Sequence, residues 1–240
     1  MFRLAARQLG KCIIRLSFRQ KAIDIAPLDK RGWLSEQPDT FREWVAAVAR
    51  WRDYDDGQIV YQAGDESDGL YGLASGGLDI GFPLIADEQV TIYRAEIGFW
   101  IGDSAELSGK PRMISLQAAG PTRLLHIPSQ DVGGMLGRNP QYWRSFYELS
   151  ARNVNMAMTL LAESLALTVR ARVCRRLLAL TKQDANVEIT QDNLAKLVGV
   201  TRATLRRCII DLAAEGGLET GYRTLRVANA AILSSYRDEQ

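Results

Sequence analysis

The stretch from Glu188 to Gly216 constrains the fold of this chain more than any other segment. It opens with a short amphipathic helix for which Thr190 is the predicted N-cap, because its hydroxyl can accept a hydrogen bond from the first turn. Apolar residues recur at helical spacing, and Gly199 is placed to end the helix in a left-handed conformation. The residues predicted to face inward are Leu194, Ala195 and Val198.

A second helix is predicted directly afterwards, with Val200 in the gap and Thr201 as its N-cap. The small Ala195 and Gly199 allow the two helices to cross closely, which is typical of a helix-turn-helix. The predicted buried stripe of the second helix is Leu205, Ile209 and Leu212. Its free face carries Arg202, Ala203, Arg206 and Arg207.

Two short strands are predicted after the second helix. L-E-T follows Gly217, the Gly221-Tyr222 pair suits a tight turn, and T-L-R-V comes next. A hairpin in this position makes the segment a winged helix-turn-helix. The alternative, an ordinary pair of antiparallel helices with solvated arginines, does not account for the hairpin.

These residues resemble the DNA-binding domain of the Crp/Fnr family of bacterial transcription regulators, and the resemblance extends over roughly residues 30 to 235. The resemblance implies an α+β fold: an antiparallel β-roll (jelly-roll) sensor domain, a long dimerisation helix and a C-terminal winged helix-turn-helix. The expected parts are a basic extension at 1–28, a cyclic-nucleotide-binding-like sensor at 29–137, the helix at 138–167 and the DNA-binding domain at 168–240.

Charge is segregated along the chain although the net charge is only +2. Residues 27–150 carry 11 basic and 18 acidic side chains, so this part would repel a polyanion, whereas residues 151–240 carry 13 basic and nine acidic ones. Only the C-terminal part has the balance expected of a surface that neutralises phosphates.

The first 26 residues repeat a basic residue every four positions from Arg3 to Arg19. A DNA-clamping arm, a membrane-surface helix and a targeting peptide are functional alternatives. We favour a loosely ordered extension, because no secretory apolar region is present. The chain contains no apolar run of the ~18 to 20 residues needed to cross a bilayer, so a cytoplasmic protein without membrane contact is expected.

The middle of the chain has the pattern of a β-rich domain. A helix is predicted from Trp33 to Arg52, and short apolar runs separated by Gly and Asp turns follow between Tyr54 and Pro128. This spacing favours an antiparallel sandwich or jelly roll. The residues predicted to face inward from the helix are Phe41, Trp44, Val45 and Val48.

The run W-I-G-D-S-A-E-L-S-G-K-P-R-M-I resembles the cassette with which the family's nucleotide binders hold their ligand. It identifies Gly102, Asp103, Arg112 and Met113 as the candidate effector pocket, because helix N–H groups and a guanidinium suit a phosphate.

Several residues depart from that pattern. Asp103 is one methylene shorter than the family's usual Glu, Met113 replaces a hydroxyl residue, and Glu106 adds negative charge near the expected phosphate. Ala157 and Met158 stand where the cyclic AMP receptor has hydroxyl residues facing the base. We therefore expect no cyclic nucleotide cofactor and a structural Arg112 paired with a carboxylate, with a cyclic-nucleotide-responsive regulator as the alternative.

Other sensor chemistries and catalysis are not expected. Three scattered cysteines give neither an iron–sulfur nor a metal-binding pattern. The single histidine, His126, is predicted to be a strand residue with a solvated ring, so neither haem nor an enzyme is expected.

Helix-compatible sequence runs from Asn139-Pro140 to about Ala166. Apolar residues at helical period, interrupted by polar ones, suit the pairing of two identical helices, and the resembling family dimerises here. Packing on its own sensor alone is the alternative. A further helix is predicted next, with Arg170, Arg172, Arg175 and Arg176 solvated, or else touching phosphates or the acidic sensor. The predicted dimer seam is Phe146, Leu149, Asn153, Met156 and Leu160.

The sequence thus predicts a homodimeric, sequence-specific regulator that binds double-stranded DNA, with RNA polymerase as the expected partner. A sensor module that binds other proteins without DNA is the alternative from a different class. In the resembling domains, the positions of Arg202, Ala203 and Arg207 face base edges. The predicted phosphate contacts are Gln191, Thr201, Thr204, Arg206 and Arg223.

Overall fold

The computed structural model describes residues 22–83, 89–181, 185–187, 189–221 and 224–240. The basic repeat from Arg3 to Arg19 lies outside the described residues. Ile25 and Leu28 are buried in the sensor core. The sensor domain therefore begins before residue 29, the boundary predicted from the sequence.

The chain enters the sensor domain through a 3-10 turn at Trp33–Glu36 and helix α1 at Asp39–Val48. The predicted inward residues of α1 are confirmed: Phe41, Trp44, Val45 and Val48 are all buried. The helix ends earlier than predicted, because Ala49 is already extended and the first strand begins at Arg50.

In the described part of the sensor domain, eight strands form two antiparallel four-stranded sheets, which confirms the predicted β-roll. The first sheet has the order β1-β8-β3-β6 and the second β2-β7-β4-β5. The strands are β1 (Arg50–Tyr54), β2 (Ile59–Tyr61), β3 (Gly69–Ser75), β4 (Leu78–Pro83), β5 (Gln89–Ala95), β6 (Trp100–Ile101), β7 (Ser115–Ala118) and β8 (Thr122–Pro128). Helix α2 (Asp103–Ser108) connects β6 to β7, and α3 (Ser129–Arg138) follows β8.

A cluster of aromatic rings joins the sensor to the long helix α4 (Trp143–Ala166), which follows a 3-10 turn at Pro140–Tyr142. Trp33 packs edge-on against Phe41 and Trp100, and Phe146 of α4 lies 5.9 Å from Trp33 between ring centroids. The indole of Trp33 also donates to the carbonyl of Ser145 at 2.7 Å. The start of α4 is therefore part of the sensor core.

The C-terminal domain has a core of its own around α5 (Val169–Leu180). It contains α6 (Gln191–Val198), α7 (Arg202–Ala214) and α8 (Ala230–Tyr236), and a three-stranded antiparallel sheet of order β10-β11-β9. The strands are β9 (Asn186–Val187), β10 (Leu218–Gly221) and β11 (Thr224–Val227). The α+β fold class is thus confirmed.

Gly72 lies where β3 passes closely over a buried indole. A Cβ added there would stand 2.5 Å from a ring carbon of Trp100. We expect Gly72→Ala to lower the free energy of unfolding of the sensor domain by ~1 to 3 kcal/mol, because the close-packed core must shift. Denaturant titration followed by tryptophan fluorescence measures this loss.

Gly133 in α3 provides the matched control, since a Cβ there meets nothing within 4 Å. Gly133→Ala should raise stability by up to ~1 kcal/mol through helix propensity. Equal stability of the two variants would contradict the tight packing of β3 on Trp100.

Candidate functional site: a DNA-binding surface and a sensor cavity

The first helix of the predicted helix-turn-helix forms as the sequence indicates. Thr190 Oγ1 accepts a hydrogen bond from the backbone N–H of Asn193 at 3.2 Å, so it caps α6. Gly199 ends this helix with φ 72°, a left-handed conformation that costs glycine little. Leu194, Ala195 and Val198 are buried, as predicted.

The second helix also follows its predicted pattern. Thr201 Oγ1 accepts from the backbone N–H of Thr204 at 3.2 Å and lies 2.9 Å from the Thr204 hydroxyl oxygen. Leu205, Ile209 and Leu212 are buried, which turns the opposite face of α7 outward. All the candidate DNA contacts on α6 and α7 are exposed: Gln191, Thr201, Arg202, Ala203, Thr204, Arg206 and Arg207.

Arg202 has a neighbour that the sequence did not reveal. Its Nε lies 3.2 Å from a carboxylate oxygen of Asp192 on α6, and both side chains are more than half exposed. An ion pair this exposed contributes little stability, so a nucleic acid can compete for the guanidinium.

The wing forms from β10 and β11, which pair from Leu218 with Val227 to Gly221 with Thr224. Arg223, the wing's candidate phosphate contact, lies outside the described residues.

The prediction for the α5 arginines was wrong, because they make contacts with α4 and with the DNA-binding domain itself. Arg175 and Arg176 both bond the carboxylate of Glu163 on α4, at 2.8 and 3.0 Å. Arg172 donates to the carbonyl of Val198, and Arg170 pairs with Glu215. These guanidiniums fix α5 against its neighbours and are neither a solvated face nor free for phosphates.

The predicted dimer seam on α4 was wrong in its direction. Phe146 and Leu149 are buried in the sensor core, and Asn153 donates to Asp103. Met156 and Leu160 line a cavity against the sensor. The first residues of α4 pack into the aromatic cluster of their own domain, so Phe146 and Leu149 are not available to a second chain.

A different side of α4 carries exposed apolar residues. They are separated by seven, four, three and four positions, the spacing of a coiled-coil seam. We call them the outer stripe: Tyr147, Val154, Met158, Leu161 and Leu165.

The candidate effector residues lie close together, but their polar atoms have protein partners. Asp103 accepts from Ser150 Oγ at 2.6 Å and from Asn153 Nδ2 at 2.7 Å, both on α4. Gly102 precedes it with φ 108°, and Met113 is exposed. Both carboxylate oxygens of Asp103 are therefore engaged by the long helix.

Arg112 is buried and forms the expected pair with a carboxylate, that of Asp68. Its Nη2 donates to Asp68 Oδ1 at 2.7 Å and to the Gly69 carbonyl at 3.0 Å. Burial acts to raise the pKa of Asp68, but the hydrogen bond from Tyr71 and the charge of Arg112 together hold that pKa below its usual value. Asp68 precedes β3, and only its acidic turn sequence could have marked it.

The prediction of a solvated ring for His126 was wrong. The ring is buried in β8, and its Nε2 lies 3.0 Å from the carbonyl oxygen of Asp68. A carbonyl only accepts, so Nε2 carries the proton. Burial, with the charge of Arg52, lowers the pKa of His126 to about 4.

This shift makes the sensor sensitive to acid. The unfolded state takes up a proton on His126 near the ordinary pKa of 6.5 and the folded state only near 4, so stability falls as the pH is lowered between these values. We expect a loss of about 2 kcal/mol from about pH 6.5 to about pH 5, measured by denaturant titration. The His126→Gln variant should lose less, whereas parallel pH profiles would contradict the account.

Within the described ranges, no helix is long and apolar enough to cross a membrane. The same residues contain no group of three His, Cys, Asp or Glu side chains that could hold a metal ion.

Known protein families match both domains. The cyclic nucleotide-binding domain family matches residues 51–139, and the Crp-like helix-turn-helix domain family matches residues 171–236. The "Cyclic AMP receptor protein" of Thermus thermophilus is 29% identical over 184 residues, which cover 76% of this chain and 85% of the relative. The "CRP-like cAMP-activated global transcriptional regulator" of Mycobacterium tuberculosis is 23% identical, with the same two coverages.

Solved structures share the arrangement of the elements. A transcriptional regulator of the CRP/FNR family from Thermus thermophilus superposes with a TM-score of 0.67 at 19% identity, covering 79% of this chain and 99% of that one. The β-roll with its long helix and the winged helix-turn-helix are thus both found in regulators of known structure. The chain belongs to the Crp/Fnr family and is a DNA-binding transcription regulator of that type.

Proposed function

We propose that the protein is a cytoplasmic homodimer that reads an inverted repeat in double-stranded DNA and acts on transcription by RNA polymerase. Its effector is not a cyclic nucleotide. The observation that supports this most is the exposed face of α7, on which three arginines lie around Ala203. The opposite face of this helix is buried in the domain core.

The proposed division of labour on DNA follows from side-chain chemistry. Arg202 and Arg207 can each bond guanine through O6 and N7, and Ala203 offers a methyl group to thymine. Gln191, Thr201, Thr204, Arg206 and Arg223 hold phosphates and set the register. The Thr201 and Thr204 hydroxyls share one hydrogen bond, so one of the two keeps its proton for a phosphate while Thr201 Oγ1 caps α7.

Dimerisation is proposed to use the outer stripe. Its five side chains are large and apolar, and they are all more than half exposed in the single chain. Such a contiguous stripe at coiled-coil spacing is stable in water when a second copy covers it. Two copies related by a two-fold axis would present their α7 helices to half-sites about one helical turn apart.

Cyclic nucleotides fit the sensor poorly. Asp103 is engaged by Ser150 and Asn153, Nη2 of Arg112 is engaged by Asp68, and Met113 has no hydroxyl for a phosphate. Glu106 accepts from Ser67 and Ser129, so its carboxylate remains beside the expected phosphate position. These contacts argue against transferring the ligand of the cyclic AMP-named relatives to this chain.

Calorimetry tests this part of the proposal. We expect no saturable binding of cyclic AMP or cyclic GMP with a dissociation constant below about 10 μM. A saturable isotherm in that range, abolished by Arg112→Ala in a folded variant, would show that the cyclic-nucleotide-responsive alternative is right.

A sensor module that binds proteins without DNA is the second candidate, and the basic face of α7 argues against it. Genome-wide mapping of DNA sites bound in cells separates the two. The proposed function predicts discrete sites that share an inverted repeat and disappear in an Arg202→Ala, Arg207→Ala double variant of equal abundance. Absence of enriched sites for the wild-type protein would favour the interaction module.

A further inference from the structure

The sensor cavity is lined mostly by carbon. It has a volume of about 320 Å³ and lies between the β4–β5 hairpin, the segment around α2 and one side of α4. This volume is at the small end of the range for ligand sites. Its apolar walls include Ile80, Phe82, Ile92, Phe99, Ile114 and Leu160.

Large apolar side chains at this cavity are partly open to solvent. Phe82 and Ile92 are 39% and 38% exposed, and Met113 at its edge is 64% exposed. Clustered exposed apolar side chains around a concave site are typical of binding surfaces. A nucleotide would bury its ribose hydroxyls against these apolar walls without partners.

One polar group at the cavity has unused hydrogen-bonding capacity. The Arg112 side chain is 1% exposed, and its Nε and Nη1 have no hydrogen-bond partner among the described residues. The guanidinium also stacks on the Tyr61 ring, with its central carbon 3.8 Å from the ring centroid. A buried guanidinium with unpaired N–H groups is stabilised by an acceptor, so it favours a ligand that carries one.

The other charged group at the cavity, Asp103, already has its hydrogen-bond partners. Asp103 borders the cavity but accepts from Ser150 and Asn153, so it does not require a ligand hydroxyl. The negative charge of the Asp103 carboxylate also disfavours a ligand that carries two negative charges.

We propose that this cavity binds a compact apolar or aromatic molecule with a single acceptor group, which contacts Arg112 while the apolar body packs against the β4–β5 hairpin. Its role as the effector rests on the proposed function. Binding itself does not, because it requires neither DNA nor polymerase.

Two fluorescent probes with the same ring system test the assignment. The first is 1-anilinonaphthalene-8-sulfonate, and the second is N-phenyl-1-naphthylamine, which lacks the sulfonate acceptor. Each is titrated into the full chain. We expect saturable binding with one site per chain, and an affinity about tenfold higher for the sulfonate. Equal affinities of the two probes would overturn the proposal that Arg112 binds the acceptor group of the ligand.

Matched variants locate the binding site. Phe82 lines the cavity and Ile97 does not, although both are 39% exposed, so Phe82→Glu and Ile97→Glu introduce the same charge at equal exposure. We expect Phe82→Glu to weaken the sulfonate probe at least about tenfold and Ile97→Glu to leave it unchanged. Equal effects, or no saturable binding by the wild type, would overturn the proposal.

Competition with cyclic AMP separates the ligand classes. The bound probe should remain in place at millimolar cyclic AMP and be displaced by decanoate, which has an apolar chain and one carboxylate. Displacement by cyclic AMP instead would assign the cavity to a nucleotide. Failure of these assays with intact operator binding would leave the DNA-binding proposal standing.

Discussion

Leu161→Arg is expected to convert the dimer into a monomer. Leu161 is the fourth of the five residues of the outer stripe and is 51% exposed in the single chain, so the substitution need not disturb the fold of one copy. In the proposed dimer it places two like charges in an apolar interface, which should cost several kcal/mol. The dimer dissociation constant should rise on the order of a hundredfold or more.

Sedimentation of wild type and variant at the same concentration measures this change. Ile59→Arg is the matched control, because Ile59 is 49% exposed and lies in β2, far along the chain from the stripe. The control should stay dimeric, and both variants should keep the wild-type helix content by circular dichroism. An unchanged dimer for Leu161→Arg would remove the outer stripe as the interface.

Arg202→Ala is expected to cost ~1 to 3 kcal/mol on the preferred operator and to relax one base position. The exposed pair with Asp192 contributes little, so the stability of the domain should hardly change. Arg223→Ala provides the contrast: as a phosphate contact, it should weaken binding to all sequences alike and lower the salt slope by about one.

Affinities of both variants for an operator and for a scrambled duplex, at several salt concentrations, test this division. Selective loss for Arg202→Ala together with uniform loss for Arg223→Ala supports it. Equal losses for Arg202→Ala on both duplexes would mean that Arg202 contacts phosphate.

The helix-turn-helix could be predicted almost residue by residue because its determinants are local. Thr190 and Thr201 cap the first turns of their own helices, and Gly199 adopts the left-handed conformation that ends α6. The inward stripes follow from helical period alone. None of these features depends on a distant part of the chain.

The long helix shows where local reasoning ends. Periodicity predicted α4 and one apolar seam along it, but it did not tell that the sensor covers the start of that seam. Phe146 packs against Trp33 and Phe41, residues more than 100 positions earlier in the chain. Tertiary packing therefore decides which side of α4 remains exposed for a partner.

The sensor residues lie between these cases. The cassette located Gly102, Asp103 and Arg112, and a carboxylate partner for Arg112 was expected. That this partner is Asp68, and that β8 buries His126 against the same residue, depends on the pairing of β3 with β8. Strand pairing of this kind brings together residues 58 positions apart, which no local pattern reports.

The spacing of half-sites tests the account most directly. DNA selected by the protein from a random pool is compared with the same duplex after five base pairs, about half a helical turn, are inserted between the half-sites. A dimer held by α4 with an α7 helix in each major groove predicts that affinity falls toward the non-specific level, because the second half-site faces away. Unchanged affinity, or selection of a site without an inverted repeat, would contradict the account.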